Sequence, residues 1–342
     1  MRRKKVLAAG LAVCAAAALL DGCRGQRTQA PQRLQVGVAC YNQSDTFISE
    51  LTDSFREQLG GEEYKELAPT VTLKDAAGLQ RTQDDQVKEL IDEGCNVLCV
   101  NLVDRTDPSE IIELARESGV PIIFFNREPV NEDMMQWSGL YYVGADAEQS
   151  GVMQGELAAD AIKADSRIDR NKDGKIQYVV LEGEAGHQDA ILRTEKVADT
   201  LKKEGVELEK LGSGVANWNR AQAENRMTQM IGQYQNQIEL VLANNDAMAL
   251  GAIDAYEKLN ITKATFPIFL GIDGTDEGLK AVEDSKMAGT VYNDKEGQAA
   301  AMAELAAALA SGEGMDEIAF ENERCIYLPY AKITKENVDA FR

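Results

Sequence analysis

Apolar and polar residues follow one another along this chain in blocks. LQVGVACY (34–41) is a nearly continuous apolar run of strand length, and FISELTDSFREQL (47–59) repeats its apolar residues at helical spacing. The alternation continues. VTLKDA (71–76) predicts a strand before a helix at about 82–93, NVLCVNLV (96–103) precedes a helix at about 108–118, and PIIFFN (121–126) and LYYVGAD (140–146) follow. From residue 177 the same grammar returns in QYVVLEGE (177–184), IELVLANND (238–246), FPIFLGIDG (266–274) and GTVYND (289–294), each leading into a helical segment. Strands that are apolar throughout belong to parallel sheets covered by helices on both faces. The pattern therefore predicts an α/β chain. At 342 residues it exceeds one ordinary core, and two domains are expected.

Polar residues fall at one place in this grammar. Asp45, Asn126, Asn245, Asp273 and Asn293 each lie at or just beyond the end of an expected strand. Open parallel sheets bind ligands outside the carboxyl ends of their strands. Asn and Asp at these positions also cap the following helix or start a turn. For each residue alone the two readings compete; five in register across both halves of the chain point to a site.

Composition narrows the partners. Lys and Arg number 36 against 57 Asp and Glu, a net charge of −21, which argues against a nucleic-acid or anionic-lipid surface. The start of the chain reads as an export signal: Arg2, Arg3, Lys4 and Lys5 precede the apolar stretch Val6 to Leu20, which is shorter than a membrane-spanning helix needs. It runs into Leu20-Asp21-Gly22-Cys23, which resembles a bacterial lipobox with Cys23 as the lipidated residue and Asp21 as a departure. An ordinary cleaved signal with an incidental Cys23 is the alternative. Residues 24–33 are polar and aperiodic, as in a tether. Cys14 lies in the apolar stretch; Cys40, Cys95, Cys99 and Cys325 sit in strand-like runs and read as buried free thiols. His187 is the only histidine, so the Cys95/Cys99 spacing does not read as a zinc site.

Asp169-Arg170-Asn171-Lys172-Asp173-Gly174-Lys175-Ile176-Gln177 follows the first nine positions of an EF-hand loop. Such a loop offers oxygens at positions 1, 3, 5 and 9 (Asp169, Asn171, Asp173, Gln177), a sharp turn at Gly174 and the carbonyl of Lys175. Position 12 is Val180 in place of the bidentate Glu. The loop is thus either a calcium half-site completed from elsewhere or a tight turn.

The NKDGKIQ loop, the GHQDA segment with Arg193, the ANWNRAQA segment and IELVLANNDAMALGA together carry a resemblance, extending from about Leu34 to Phe341, to the bacterial periplasmic glucose/galactose-binding proteins. The resemblance implies the type I periplasmic-binding-protein fold: two doubly wound parallel-sheet lobes joined by a three-segment hinge, with crossings near Gly144, Asn293 and Pro329. The implied organisation is a signal peptide at 1–22, an anchor and tether at 23–33, an N-terminal lobe at 34–144 plus 294–328, and a C-terminal lobe at 145–293 plus 329–342. Carried over residue by residue, the family's sugar contacts fall on Asp45, Phe47, Asn126, His187, Asp189, Arg193, Trp218, Asn245, Asp273 and Asn293. Its calcium ligands fall on Asp169, Asn171, Asp173, Lys175 (carbonyl) and Gln177, with Glu239 as the remote carboxylate. Gln188 and Arg127 depart from residues common in the family at those places.

The implied function is capture of D-galactose, D-glucose or a methyl-galactoside by a non-catalytic monomer outside the cell membrane. It would bind structural Ca2+, hold to the membrane only through a lipid anchor and deliver sugar to a membrane ABC importer; a chemoreceptor is a further partner the resemblance allows. The chemistry agrees: a buried hexose needs every hydroxyl paired, which planar Asp, Asn and Arg groups supply, and its apolar faces suit Phe47 and Trp218. Ribose or xylose specificity, and a glycosidase using Asp45 and Asp273, are the rival readings.

Overall fold

The computed structural model describes residues 33–341; the signal-like segment, Cys23 and the tether up to residue 32 lie outside them. The first half alternates as its apolar runs require. β1 (Gln35–Cys40), α1 (Thr46–Leu59), β2 (Thr70–Asp75), α2 (Gln80–Asp92), β3 (Val97–Val100) and α3 (Ser109–Ser118) come first. β4 (Ile122–Phe125), the single-turn α4 (Asn131–Met134) and β5 (Leu140–Gly144) complete this half. The second half runs α5 (Ala147–Ala164), β6 (Ile176–Glu182), α6 (Gln188–Lys203), β7 (Leu208–Val215), α7 (Arg220–Tyr234), β8 (Leu240–Ala243) and α8 (Asp246–Lys258). β9 (Ile268–Leu270), α9 (Asp276–Glu283), β10 (Thr290–Tyr292), α10 (Lys295–Ser311), β11 (Cys325–Tyr327) and β12 (Ala331–Ile333) follow.

Two sheets result. One has the order β11-β5-β4-β3-β1-β2, with every pair parallel. The other has the order β7-β6-β8-β9, also parallel, and is extended by the bridges Leu270↔Gly289 and Asp273↔Tyr292 towards β10, which pairs antiparallel with β12. The chain passes from the first sheet to the second after β5, returns after β10, and crosses once more between β11 and β12. This is the two-lobed α/β architecture with parallel sheets that the apolar pattern called for.

The pleat explains why the strands are apolar at every position. Leu98 and Val100 of β3, with Ile122 and Phe124 of β4, pack with Val87, Leu90 and Ile111 of α2 and α3. Their neighbours Val97, Cys99, Ile123 and Phe125 face the opposite way, against Leu51 and Phe55 of α1 and Met302 and Leu305 of α10. β6 and β8 split likewise, Val179 and Val241 to one face and Val180 and Leu242 to the other. Successive side chains of a strand point to opposite faces, so a sheet covered on both sides needs both to be apolar. The edge strand β7, sequence LEKLGSGV, is covered less, and its polar residues hid it from the apolar pattern. The three-residue β11 and β12 were too short to register. Cys40, Cys95 and Cys99 are buried free thiols, whereas Cys325 is only partly buried.

The second lobe depends on close helix contact. Gly151 and Gly155 let α5 lie against α6, where a Cβ on Gly155 would come within 2.6 Å of Thr200 Cβ and one on Gly151 within 3.0 Å of Arg193 Cα. Overpacking such a contact costs about 1–3 kcal/mol. Gly155→Val should lower the urea midpoint correspondingly; an unchanged midpoint would show that the α5–α6 spacing relaxes freely.

Candidate ligand-binding cleft

The carboxyl ends of both sheets carry residues that do two things at once. Asp45 is the N-cap of α1, accepting from the Ile48 amide at 3.3 Å, while its other oxygen accepts from the Tyr41 hydroxyl at 2.5 Å. His187 caps α6, its Nδ1 accepting from the Asp189 amide at 3.1 Å, and Asn245 caps α8, its Oδ1 accepting from the Met248 amide at 2.9 Å. Asn126 sits in the left-handed region at φ +59° just past β4, where the Asn101 amide donates to its Oδ1 at 3.2 Å. Asp273 follows β9 at φ +116° and is tied by its backbone to Val291 and Asn293. The capping reading and the site reading of these residues are therefore compatible.

From the first lobe Asp45, Phe47 and Asn126, and from the second His187, Asp189, Arg193, Trp218, Asn245 and Asp273, line one cavity. Asn293 does not line it; the residue is buried one strand away, its Oδ1 accepting from Gln298 Nε2 at 2.7 Å. Three lining residues escaped the sequence reading: Tyr41, Ile48 and Arg127. Each adjoins a residue that was found, since Tyr41 bonds to Asp45, Ile48 follows Phe47 and Arg127 follows Asn126. Arg127 lies with its guanidinium carbon 3.5 Å from the Tyr41 ring centroid.

Arg193 is the hub of the second-lobe side. Its Nη1 donates to the Asn244 carbonyl at 2.7 Å and stands 3.6 Å from Asp273 Oδ1. Its Nη2 meets the Tyr330 hydroxyl at 3.2 Å and Asp189 Oδ2 at 3.4 Å, while its Nε is buried with no hydrogen-bond partner. Trp218 occupies a left-handed conformation after left-handed Asn217, with its ring 5.1 Å from that of His187. Only glycine fits beneath it, because a Cβ on Gly183 would fall 2.1 Å from the indole.

Burial dominates the electrostatics. It pushes the Asp45 carboxyl up, against the Tyr41 hydrogen bond, and pushes the Asp273 carboxyl well up, against the Arg193 charge. It holds the His187 imidazole down to about 4. A further carboxylate went unnoticed in the sequence. Asp246 is fully buried behind Asp273, with Oδ1 accepting from the Thr290 hydroxyl at 2.5 Å and Oδ2 from the Thr275 amide at 2.9 Å. A Cβ on Gly271 or Gly278 would lie 2.1 Å from its oxygens, so these glycines make room for the carboxylate that holds the Asp273 loop.

The EF-hand-like loop lies elsewhere, ahead of β6. Glu239, buried, reaches it: Oε1 accepts from the Arg170 amide at 2.6 Å and Oε2 from the Gln177 amide at 3.2 Å. Asn171 Nδ2 donates to Asp173 Oδ2 and Gln177 Oε1, and Gly174 turns at φ +80°. Among the described residues no three His, Cys, Asp or Glu side chains form a metal-holding group by themselves. The donor set here mixes two carboxylates with two amides and a remote carboxylate, and Asp169 Oδ1 is buried without a hydrogen-bond partner. An all-oxygen set with an orphaned carboxylate oxygen fits a hard cation such as Ca2+.

With this geometry in hand, comparison with known proteins is decisive. Residues 36–314 match the family model described as periplasmic binding protein domain. The chain belongs to the periplasmic binding protein family. Among relatives, the D-galactose/methyl-galactoside binding periplasmic protein of Haemophilus influenzae is 35% identical over 313 residues, covering 90% of this chain and 91% of that one. A putative rhizopine-binding protein of Rhizobium meliloti is 31% identical over 83% of this chain and 86% of its own. Among solved structures, an ABC transporter solute binding protein from Bacillus halodurans with bound myo-inositol aligns at TM-score 0.75 and 28% identity, over 92% of this chain and 99% of that one.

His187 yields a pH test in this periplasmic binding protein. Its folded value of about 4 lies below the ~6.5 of a free imidazole, so on acidification the unfolded chain takes up the proton first. The native state consequently loses stability as the pH falls from about 6.5 to 4. The stability difference between wild type and His187→Gln should be constant above pH 7 and shift in the variant's favour by up to about 3 kcal/mol by pH 4. A difference independent of pH would overturn the burial argument.

Proposed function

We propose that this protein captures D-galactose or D-glucose, or a methyl-galactoside, between its two lobes and delivers it to a membrane ABC importer. The observation that carries this reading is the cavity itself: planar Asp, Asn and Arg groups from both lobes converge on it, with one aromatic ring from each lobe, Phe47 and Trp218. A hexose rim needs many paired donors and acceptors when buried, and its C–H faces suit the rings. The relative from Haemophilus influenzae, whose name gives D-galactose and methyl-galactoside as its ligands, supports the choice of sugar.

The mechanism is hinge closure, the motion described in general for periplasmic binding proteins. The crossings near Gly144, Asn293 and Pro329 serve as the hinge between lobes 34–144 plus 294–328 and 145–293 plus 329–342. Sugar touching both lobes favours the closed state because it binds that state better. Asp169, Asn171, Asp173, Lys175, Gln177 and Glu239 would hold a structural Ca2+ that braces the start of β6. Export, lipidation at Cys23, a monomeric state that leaves the lobes free, and docking on the importer or on a chemoreceptor belong to the same reading.

One observation favours a second reading. Buried carboxyls with raised values, such as Asp45 and Asp273, are what a glycosidase uses as its acid. Against it, Asp45 is committed to Tyr41 and the Ile48 amide, and Asp273 faces Arg193. Sustained hydrolysis of a nitrophenyl galactoside would bring the enzyme reading back.

Calorimetric titration of protein refolded free of ligand, with galactose, glucose, ribose and xylose in separate runs, tests the proposal. Galactose or glucose should bind at submillimolar concentration, Asp273→Ala should abolish binding, and Trp218→Ala should weaken it at least about tenfold. Tight binding of ribose or xylose alone would move the ligand class; silence for all four would sink the sugar reading. Separately, chelation should lower the melting temperature by several degrees, with recovery on adding Ca2+ and none in Glu239→Gln. Melting unaffected by chelation would remove the metal from the account.

A further inference from the structure

Two charged contacts join the lobes directly, one of them made by a residue that also lines the cavity. Arg127, on the first lobe, is buried and held at home by the Tyr41 ring beneath it and by the Val103 carbonyl, to which Nη1 donates at 2.9 Å. Its Nη2 reaches across to Glu184 Oε2, 3.0 Å away on the loop after β6 in the second lobe. Lys295, the first residue of α10, is also buried and held at home, its Nζ 2.5 Å from Glu50 Oε2 on α1. It meets Asp276 Oδ1, the first residue of α9 on the second lobe, at 2.9 Å, and the Asp276 amide donates to Glu50 Oε1 at 3.3 Å. Glu50, Asp276 and Lys295 are absent from the lining of the cavity, and Glu184 lines only the adjoining hollow, with Tyr41, Asp45 and Trp218.

The two contacts share a design. In each, the first lobe supplies a cation already desolvated and anchored within that lobe, and the second supplies a carboxylate that remains partly in solvent: the side chain is 34% exposed for Glu184 and 82% for Asp276. When the lobes part, each cation keeps its home contacts and each carboxylate returns to water. The pairs therefore contribute to the free-energy difference between open and closed states, Lys295–Asp276 away from the cavity and Arg127–Glu184 through a cation that also lines it. A ligand's affinity scales with the fraction of protein in the competent state, so a contact made only on closure sets affinity without touching ligand. The two pairs should differ in strength. An ion pair with a well-exposed partner is weak, whereas removing the partner of a buried cation leaves its charge uncompensated.

We infer that Arg127–Glu184 and Lys295–Asp276 are positioning pairs that set the open–closed balance and so the affinity for ligand. The inference rests on the hinge-closure reading above. It carries a signature that sugar contacts cannot produce: a hexose is uncharged, so dependence of its affinity on ionic strength must come from charges that the protein itself brings together. Half-exposed pairs are screened over the ordinary range of salt.

The test is titration of the wild-type protein and of Glu184→Gln, Asp276→Asn and the double variant with the hexose it binds, at about 20 mM and about 500 mM NaCl, alongside X-ray scattering with and without sugar. Asp92→Asn, which breaks the exposed Lys88–Asp92 pair within α2, is the control for a general effect of charge. Wild-type affinity should weaken with salt. At low salt Glu184→Gln should weaken it about tenfold and Asp276→Asn about threefold, and the double variant should lose most of the salt dependence while compacting fully with saturating sugar. If wild type binds and compacts but the variants stay within about twofold of it, or Asp92→Asn shifts affinity as much as they do, the pairs do not set the balance. If wild type binds no hexose, or binds without compaction, the closure reading fails and this inference fails with it.

Discussion

A guanidinium buried away from water is costly unless it is paired and hydrogen-bonded, and the second lobe is arranged around meeting that demand at Arg193. The side chain leaves α6 and touches Asp189 one turn earlier, Asp273 past β9, the Asn244 carbonyl past β8 and the Tyr330 hydroxyl beyond the third crossing. Four separate stretches of chain are thereby fixed to one point. Asp273 and Asp189, which would repel each other if left alone, are held side by side by the charge between them. Gly151 of α5 belongs to the same constraint, because it lets the helix close over the backbone of Arg193.

The first lobe uses a milder device. Asp45 shares its two oxygens between a helix amide and the Tyr41 hydroxyl, and Tyr41 in turn supports the Arg127 guanidinium. Helix caps and ligand groups coincide here for a geometric reason. In a parallel α/β sheet the loop after each strand delivers the next helix's N-terminus to the same edge where ligands bind, so a capping Asp, Asn or His stands at the cleft by construction. Its capping bond fixes its rotamer, and a fixed polar group loses little entropy when it meets a ligand. Fold stability and a preformed polar surface thus come from the same side chains.

Legibility in the sequence follows the range of the interaction. Strands buried on both faces, such as IIFF in β4 and LVLA in β8, announce themselves because every residue must be apolar. β7 does not, since an edge strand tolerates LEKLGSGV. Among site residues, Asp45, Asn126, Asn245 and Asp273 stood out by position at strand ends, and His187, Asp189, Arg193, Phe47 and Trp218 through family resemblance. Tyr41 reads only as the end of a strand, and Arg127 only as a departure from the family beside Asn126, so neither was assigned to the lining. Asp246 was overlooked because an Asp at the start of a helix is ordinarily a surface residue, and here it is sealed in by Gly271, Gly278 and Thr290. Asn293, at a strand end like the others, is turned to Gln298.

What the sequence by itself determined is what local physics controls. Hydrophobic runs set strands and helices within a dozen residues, the absence of polar faces made the sheets parallel and doubly covered, and short polar residues after strands set caps and turns. The tertiary structure alone decided which of those polar residues meet across the cleft, which are sealed inside, and which charges link one lobe to the other. Those outcomes depend on where three crossings carry the two sheets relative to each other. Partners such as Arg127 and Glu184, or Lys295 and Asp276, are brought together by that placement and leave no periodicity in the chain that joins them.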